Sequence, residues 1–506
     1  MTDLHQSNRN NYLQFFFLFL LLMPLFLVNI RNSHDWGGDF AQYIHQAINI
    51  TEGKPQWDNG YIFNPDNPYL APSSYPVGFP ILLAPACYFF GNNIAVFSSY
   101  ITVLLICALS AMFVFFSKYF SFLISLLAVL VLAYNPWILK FKGEIVSDIP
   151  FTLFFTLSLL LYVGHDVRKK DFLRGIMLGI CIGFAMLIKG IGLVLLSGIL
   201  ADVIFKPGQA GENRKRFNRE TLTFISSVLI TSVVLYLLSD KLLFPSKDDT
   251  FRFFSTLFDI KTMGSTILAT SDYYVQVIQD FFRPENGRWN VFPSITRAFA
   301  IVFFILGLFI KCLKGPRFPE FVILFFLFIV FSFPNTTQGF RYLVPVSPLI
   351  VYYIITGLQS VQLPLRLRPE YIALCIGLMM LVQYKSGISE IIATQQNTLV
   401  GPQEPEAVSV FGFIRQNTPE HSKIVFIKPT VLALYTGRKS FTNHPSQSLE
   451  SAGKQYGSIG YDYLLTTTDL VNNALEEYIK KNADRLTMVF ENGKFRLYRK
   501  QDELQR

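Results

Sequence analysis

Two pairs of carboxylates and two isolated cations are the groups in this chain whose setting suits chemistry. Asp35 and Asp39 lie four residues apart in "NSHDWGGDFAQYIHQAINITEGKP" (32–55), directly after the first long apolar run. A carboxylate beside a low-dielectric surface gains affinity for protons and cations, which suits a general base, a metal ligand, or both. A solvated acidic loop at a membrane surface is the plainer reading. Asp39, Tyr43 and Ala47 share one face of a helical run closed by Gly53 and Pro55, so the acid starts an amphipathic helix lying on the membrane. Asp35 and Asp39 share a cation only if the chain bends at Gly37 and Gly38.

The second pair, Glu144 and Asp148, stands in "KFKGEIVSDIPF" (140–151). Asp148 comes just before Pro150 and an apolar run, so helix capping competes with a functional role. Lys189 in "IKGIG" (188–192) and Arg341 in "QGFRYLVPVSP" (338–348) are cations at the edges of apolar runs. Each either snorkels to the interface or faces a phosphate. The chain has no P-loop, no GxGxxG, no GxSxG and no zinc-type Cys/His spacing.

The elements that position these groups are membrane spans. Of the 506 residues, 51% are hydrophobic and only 16% are charged, and 51 are Phe; a typical soluble chain is about 25% charged. Apolar runs cover roughly 13–30, 94–116, 121–139, 149–164, 173–204, 221–238, 296–310, 319–334, 342–359 and 370–384, with a shorter run at 79–90 that lies in the interface or re-enters. The first run lacks a small-residue cleavage site and reads as a retained anchor. The net charge of +9 sits in short loops at 166–174, 206–219, 311–317 and 365–369, which marks them as cytoplasmic and argues against a nucleic-acid partner. For 166–174 and 206–219 to share a side, the run between them must reverse at Lys189, giving spans 173–188 and 191–205. The result is about eleven spans with the N-terminus inside. The segments 31–78, 140–148, 239–295, 335–341 and everything after 385 then lie outside. Residues 1–390 form the membrane domain, and 400–506 form a small extracytoplasmic α/β domain with a hairpin at Asn492-Gly493. The five cysteines lie in or beside spans and imply no disulfide framework.

In this order the pieces resemble the GT-C superfamily of polytopic glycosyltransferases, nearest to bacterial relatives of protein O-mannosyltransferases and aminoarabinose transferases. The resemblance rests on "DWGGDFAQYIHQAINITEGKP", "YPVGFPILLAP" (75–85), "NPWILKFKGEIVSDIPFTLFFTLSLLLY" (135–162), "GFAMLIKGIGLVLL" (183–196) and "RYLVPVSPLI" (341–350). Many relatives carry an acid pair in the first outer loop. Here Phe40 follows Asp39, which leaves a single acid and weakens a two-carboxylate metal site.

The resemblance implies a mainly α, polytopic helical bundle in a bacterial inner membrane. It implies a polyprenyl-phosphate-linked sugar donor and a glycan, lipid or protein acceptor. Asp39 would be the general base of an inverting transfer, and Lys189 and Arg341 would hold the donor phosphate. Asp35, Glu144 and Asp148 would orient substrate or hold a divalent metal, and Tyr43 and Tyr342 would line the sugar pocket. The competing class is a transporter or flippase for a lipid-linked saccharide. Against it, no charge stands at mid-span and no pair of similar halves is evident.

Overall fold

The computed structural model describes residues 2–64, 71–163, 172–205, 219–245, 260–282, 291–333, 338–361, 369–444 and 446–501. Most of the basic loops at 166–174, 206–219 and 365–369, which set the expected sidedness, fall outside these residues.

The apolar runs are helices. In order they are α1 (Thr2–Leu22), α2 (Gly38–Glu52), α3 (Gly78–Phe90), α4 (Ile94–Ser117), α5 (Phe122–Ala133), α6 (Pro136–Lys142), α7 (Asp148–Val163) and α8 (Phe172–Ile188). Then come α9 (Leu193–Phe205), α10 (Arg219–Leu237), α11 (Ile260–Phe282), α12 (Val291–Leu313), α13 (Phe318–Ser332), α14 (Ser347–Ser360) and α15 (Pro369–Thr394). Among the described residues, five helices are long and apolar enough to cross a membrane, or six if the bent pair α5–α6 is one span; six further apolar helices have 10–17 residues. About eleven crossings would need the shorter helices to cross as well.

Three local features depart from or sharpen the helical pattern. The run 121–139, expected as one helix, is bent by 59° between α5 and α6. The cause is Pro136, which cannot continue a helix, together with the Asn135 side chain, which accepts from the amides of Trp137 and Ile138 and starts a new one. The helix breaks at Lys189, whose backbone is extended, and Gly192 packs on the turn before it, so closely that a Cβ there would come within 2.7 Å of the Ala185 backbone. The segment 239–295, expected as an outer loop, contains the 23-residue helix α11.

The C-terminal part adds α16 (Pro405–Asn417), α17 (Pro429–Thr436), α18 (Leu449–Ile459) and α19 (Asn473–Lys481) around a five-stranded sheet. Its strands are β1 (Lys423–Val425), β2 (Lys439–Phe441), β3 (Tyr463–Thr467), β4 (Leu486–Glu491) and β5 (Phe495–Lys500), in the order β2-β1-β3-β5-β4. β1 runs parallel to β2 and β3, and β5 runs antiparallel to β3 and to β4, its hairpin partner across Asn492-Gly493. Side chains alternate across a strand, and here both faces are covered. Ile424, Tyr463, Leu465, Phe495 and Leu497 join the core that continues into the helical part, whereas Val425, Phe441, Leu464 and Leu486 pack in a second core with α18 and α19.

The two parts are joined through the first loop. Trp36, 5% exposed, inserts among Phe411, Phe426 and Phe495, with ring centroids 6.3, 5.9 and 6.1 Å away. Tyr61 bridges to Ser440 at the free edge of β2, with Ile62 N–H donating to the Ser440 carbonyl at 2.9 Å. α2 therefore has no free polar face, as an amphipathic surface helix would: Gln42, Gln46 and Asn49 are buried along with its apolar residues. It is wedged between α3 and α17. Removing the Trp36 ring leaves a void in an aromatic core, so Trp36→Ala should cost about 3–5 kcal/mol. Thermal unfolding of the purified protein would show this as a clearly lowered midpoint, with Trp36→Phe close to wild type.

Candidate active site

Asp148 is the first residue of α7, and its side chain is fully buried. Its two carboxylate oxygens do not cap the helix in isolation. Oδ1 accepts from Lys189 Nζ at 2.5 Å and Oδ2 from Arg341 Nε at 2.7 Å. Lys189 comes from the turn between α8 and α9. Arg341 comes from the 3-10 segment Gly339–Val346 that leads into α14. The Arg341 fork continues outward: Nη2 donates to Asp39 Oδ2 at 3.1 Å, and Nη1 to the Gln338 amide oxygen at 3.2 Å. Asp39 Oδ1 accepts from the Tyr75 hydroxyl at 2.8 Å. The charges thus alternate along one line, Asp39–Arg341–Asp148–Lys189. Asp148 is its fully buried member, and exposure rises from it to 16% at Arg341 and 36% at Asp39 on one side and to 20% at Lys189 on the other.

Asp39 is placed by its helix. It stands in the first turn of α2, where the helix N-terminus favours a negative charge. α2 ends where expected, at Gly53, whose φ of +67° is the left-handed conformation that favours glycine. Tyr43, one turn after Asp39, is 3% exposed. Its hydroxyl donates to Ser147 Oγ at 3.0 Å, and its ring stacks on Tyr75 at 4.5 Å. It ties α2 to the residue before Asp148. The Tyr342 ring lies 5.7 Å from Lys189 Nζ.

Asp35 and Glu144 lie beside this line and are not hydrogen-bonded into it. Asp35 accepts from the Gly37 amide at 2.8 Å and pairs with His34 Nδ1 at 3.1 Å. The His34 hydrogen bond is the main reason its carboxyl sits below the usual range. Burial, helped by the Asp35 charge, pushes Glu144 up to about 7. Tyr75, Gln338, Ser147 and Lys428 are site residues that the sequence reading misses. Tyr75 has a signal, since it opens the segment "YPVGFPILLAP".

A divalent metal does not fit the acids as they stand. Both oxygens of Asp39 and of Asp148 are occupied by donors of the protein itself. No group of three or more potential ligands occurs among the described residues.

The far side of the Arg341 segment is apolar. Phe340 and Leu343 line a cavity of about 200 Å³ that also meets Phe281, Phe304, Ile354 and Met380, and Phe340 stacks on Phe281 at 4.3 Å. One short stretch of backbone therefore presents a cation to the charged line and aromatic and aliphatic groups to a greasy hollow.

The family model for dolichyl-phosphate-mannose-protein mannosyltransferase matches residues 73–240, the stretch that contains Tyr75, Asp148 and Lys189. Among solved structures, ArnT from Cupriavidus metallidurans bound to undecaprenyl phosphate superposes with a TM-score of 0.57 at 10% identity, covering 96% of this chain and 97% of that one. The chain has the GT-C fold. The oligosaccharyltransferase AglB from Archaeoglobus fulgidus, in complex with an inhibitory peptide and a dolichol-phosphate, gives 0.54 at 13% identity over 90% of this chain and 70% of that one. Arabinofuranosyltransferase AftD from Mycobacteria gives 0.53 at 11% over 96% of this chain and 42% of that one. No curated protein sequence matches the chain. With this fold and these apolar helices, the chain is an integral membrane protein.

The geometry sets two expected outcomes. Asp148→Asn leaves Lys189 and Arg341 without their shared counter-charge, and breaking a buried pair costs about 3–5 kcal/mol. The variant should show a lowered unfolding midpoint, whereas Asp35→Asn, on an exposed acid, should not. For Glu144 the sign is set by the raised value. The folded protein keeps a proton that the unfolded chain gives up near 4.5, so the stability this contributes is lost as pH rises through about 7. Glu144→Gln, fixed in the neutral form, should flatten the fall in unfolding midpoint across that window. A pH profile unchanged in this variant would show that Glu144 does not titrate there.

Proposed function

We propose that this protein is a membrane glycosyltransferase that moves a sugar from a polyprenyl-phosphate-linked donor to an acceptor hydroxyl at the outer face of the membrane. The observation that carries the reading is the double-sided segment Gly339–Val346. Its Arg341 joins the charged line while Phe340 and Leu343 wall the apolar cavity. A molecule with an anionic head and an isoprenoid tail matches both sides of that wall.

In the proposed reaction Asp39, the most exposed acid of the line, accepts the proton of the acceptor hydroxyl as its oxygen attacks the anomeric carbon. The bond from that carbon to the phosphate oxygen breaks, and the lipid phosphate leaves with the electron pair. A single displacement inverts the anomeric centre. Lys189 is the better phosphate ligand of the two cations. An ammonium has three donors, and one of them goes to Asp148. The Arg341 fork already holds Asp39, Asp148 and Gln338. Its first task is to hold and aim the Asp39 carboxylate, an interaction strengthened by the partly dry setting. Tyr342, beside Lys189, borders the place where the sugar would lie.

Transport has no comparable support. The charged groups converge on one place instead of forming a path. Buried Lys142, Asp202 and Glu320 lie near the ends of α6, α9 and α13, away from mid-span. The N-terminus inside and the C-terminal domain outside complete the proposed arrangement.

The test is a transfer assay with the full chain in lipid and a panel of radiolabelled polyprenyl-phosphate sugars. Release of polyprenyl phosphate by wild type is the expected result. Asp39→Asn should lower the rate about 10²–10⁴-fold with folding intact. Wild-type turnover by that variant would strip Asp39 of the role of base.

A further inference from the structure

Lys428 immediately precedes α17 in the C-terminal domain. Two residues later, Thr430 Oγ1 donates to the Gly38 carbonyl at 3.1 Å, one residue before Asp39. Gly38 is close-fitting there, since a Cβ would meet Thr430 Oγ1 at 3.3 Å. The contact pins Lys428 at the outer mouth of the site, half-buried, where the charges it faces are Asp35 and Asp39. Neither acid takes it as a partner. Asp39 is held by Tyr75 and Arg341, and Asp35 by His34 and the Gly37 amide. Among the described residues the Lys428 ammonium makes no hydrogen bond or ion pair.

A second cation at this mouth is similarly unfinished. Arg31 faces Asp35 and Glu144, and its Nε donates to Asn29 Oδ1 at 2.8 Å, yet its buried Nη1 has no hydrogen-bond partner. Desolvating a charged donor without an acceptor is unfavourable. The buried Arg31 donor and the half-buried Lys428 ammonium, both facing Asp35, are explained together if an acceptor arrives from outside the protein. Lys189, by contrast, faces Asp148, Arg341 and Asp39 from the inner end of the line.

We propose that Lys428, with Arg31, forms an anion-binding rim on the outer side of Asp39 that takes a phosphate or carboxylate group of the substrate. The C-terminal domain then supplies part of the active site. The anionic group belongs either to the lipid donor or to the acceptor, whose attacking hydroxyl would lie beside it. This rests on the glycosyltransferase reading only for the word substrate; the anion site itself is testable without turnover.

The experiment uses the full chain in nanodiscs and reads two quantities. One is the rate at which an amine-reactive ester labels Lys428, followed by mass spectrometry. The other is the affinity for undecaprenyl phosphate. Undecaprenyl phosphate slowing the labelling, together with an affinity about tenfold weaker in Lys428→Gln, the loss expected for one charge-assisted hydrogen bond, would assign the rim to the donor phosphate. Inorganic phosphate slowing the labelling only on top of bound undecaprenyl phosphate, with the lipid affinity unchanged in Lys428→Gln, would assign it to an anionic acceptor. In the first case Lys428→Arg, which keeps the charge, should retain the wild-type affinity for undecaprenyl phosphate. Labelling untouched by both anions would overturn the proposal, even where Lys189→Gln abolishes undecaprenyl-phosphate binding and so upholds the donor reading. If wild type fails to bind the lipid while inorganic phosphate still protects Lys428, the donor reading fails and the rim stands.

Discussion

A carboxylate fully removed from water is tolerated only when cations and hydrogen-bond donors replace its hydration. Asp148 is that carboxylate, and the helical part is arranged around meeting its demand. One oxygen requires the chain to turn at Lys189, and the other requires the 3-10 segment before α14 to deliver Arg341. Segments that share no local sequence logic are thereby drawn to one point. Attraction between unit charges grows steeply as the effective dielectric falls, so the pairs made by fully buried Asp148 are stronger than the one that holds the more exposed Asp39. In the proposed reaction the base must be held in place and yet exposed to its proton donor, and Asp39, bonded by Arg341 and Tyr75 while 36% exposed, meets both needs.

The outer end of that line is fixed by apolar packing instead of charge. Trp36 is set in an aromatic box of the C-terminal domain, and Asp39 comes three residues later at the start of α2. Thr430 holds the Gly38 carbonyl between them. The sheet is covered on both faces, and one of those faces continues into the core of the helical part. The domain is therefore the outer wall of the loop that carries Asp39. A shift of this domain would move the acid relative to Arg341.

The charged line is legible in the sequence as single residues. Acids and cations at the edges of long apolar runs are rare enough to notice, and Asp39, Asp148, Lys189 and Arg341 each stand out for that reason. Their mutual pairing is not legible, because Asp39 and Arg341 stand 302 residues apart and contact at that separation leaves no local pattern. The placement of basic loops does point to the helix break at Lys189, which hydropathy alone would run through as one helix. Hydropathy misleads at α5–α6, where an apolar run hides the break at Asn135-Pro136. It misleads again at α11, whose polar residues make a helix look like a loop. Trp36 and Lys428 pass unnoticed because a tryptophan after a span and a lysine after a strand are ordinary in sequence. Only the packing of the C-terminal domain gives them a place.

The resting charge balance bears on how a donor would be received. Within the line two carboxylates meet two cations, so it is neutral overall. An arriving phosphate would make it negative unless further positive charge lies within reach or a nearby acid is protonated. Both conditions are present at the outer mouth. Lys428 and Arg31 add cations beyond the line, and Glu144, pushed up to about 7, is easily held neutral near that pH. A phosphate entering from the apolar cavity would therefore meet a neutral inner line backed by an uncommitted positive rim. Asp39 lies between the two, held by Arg341 and Tyr75.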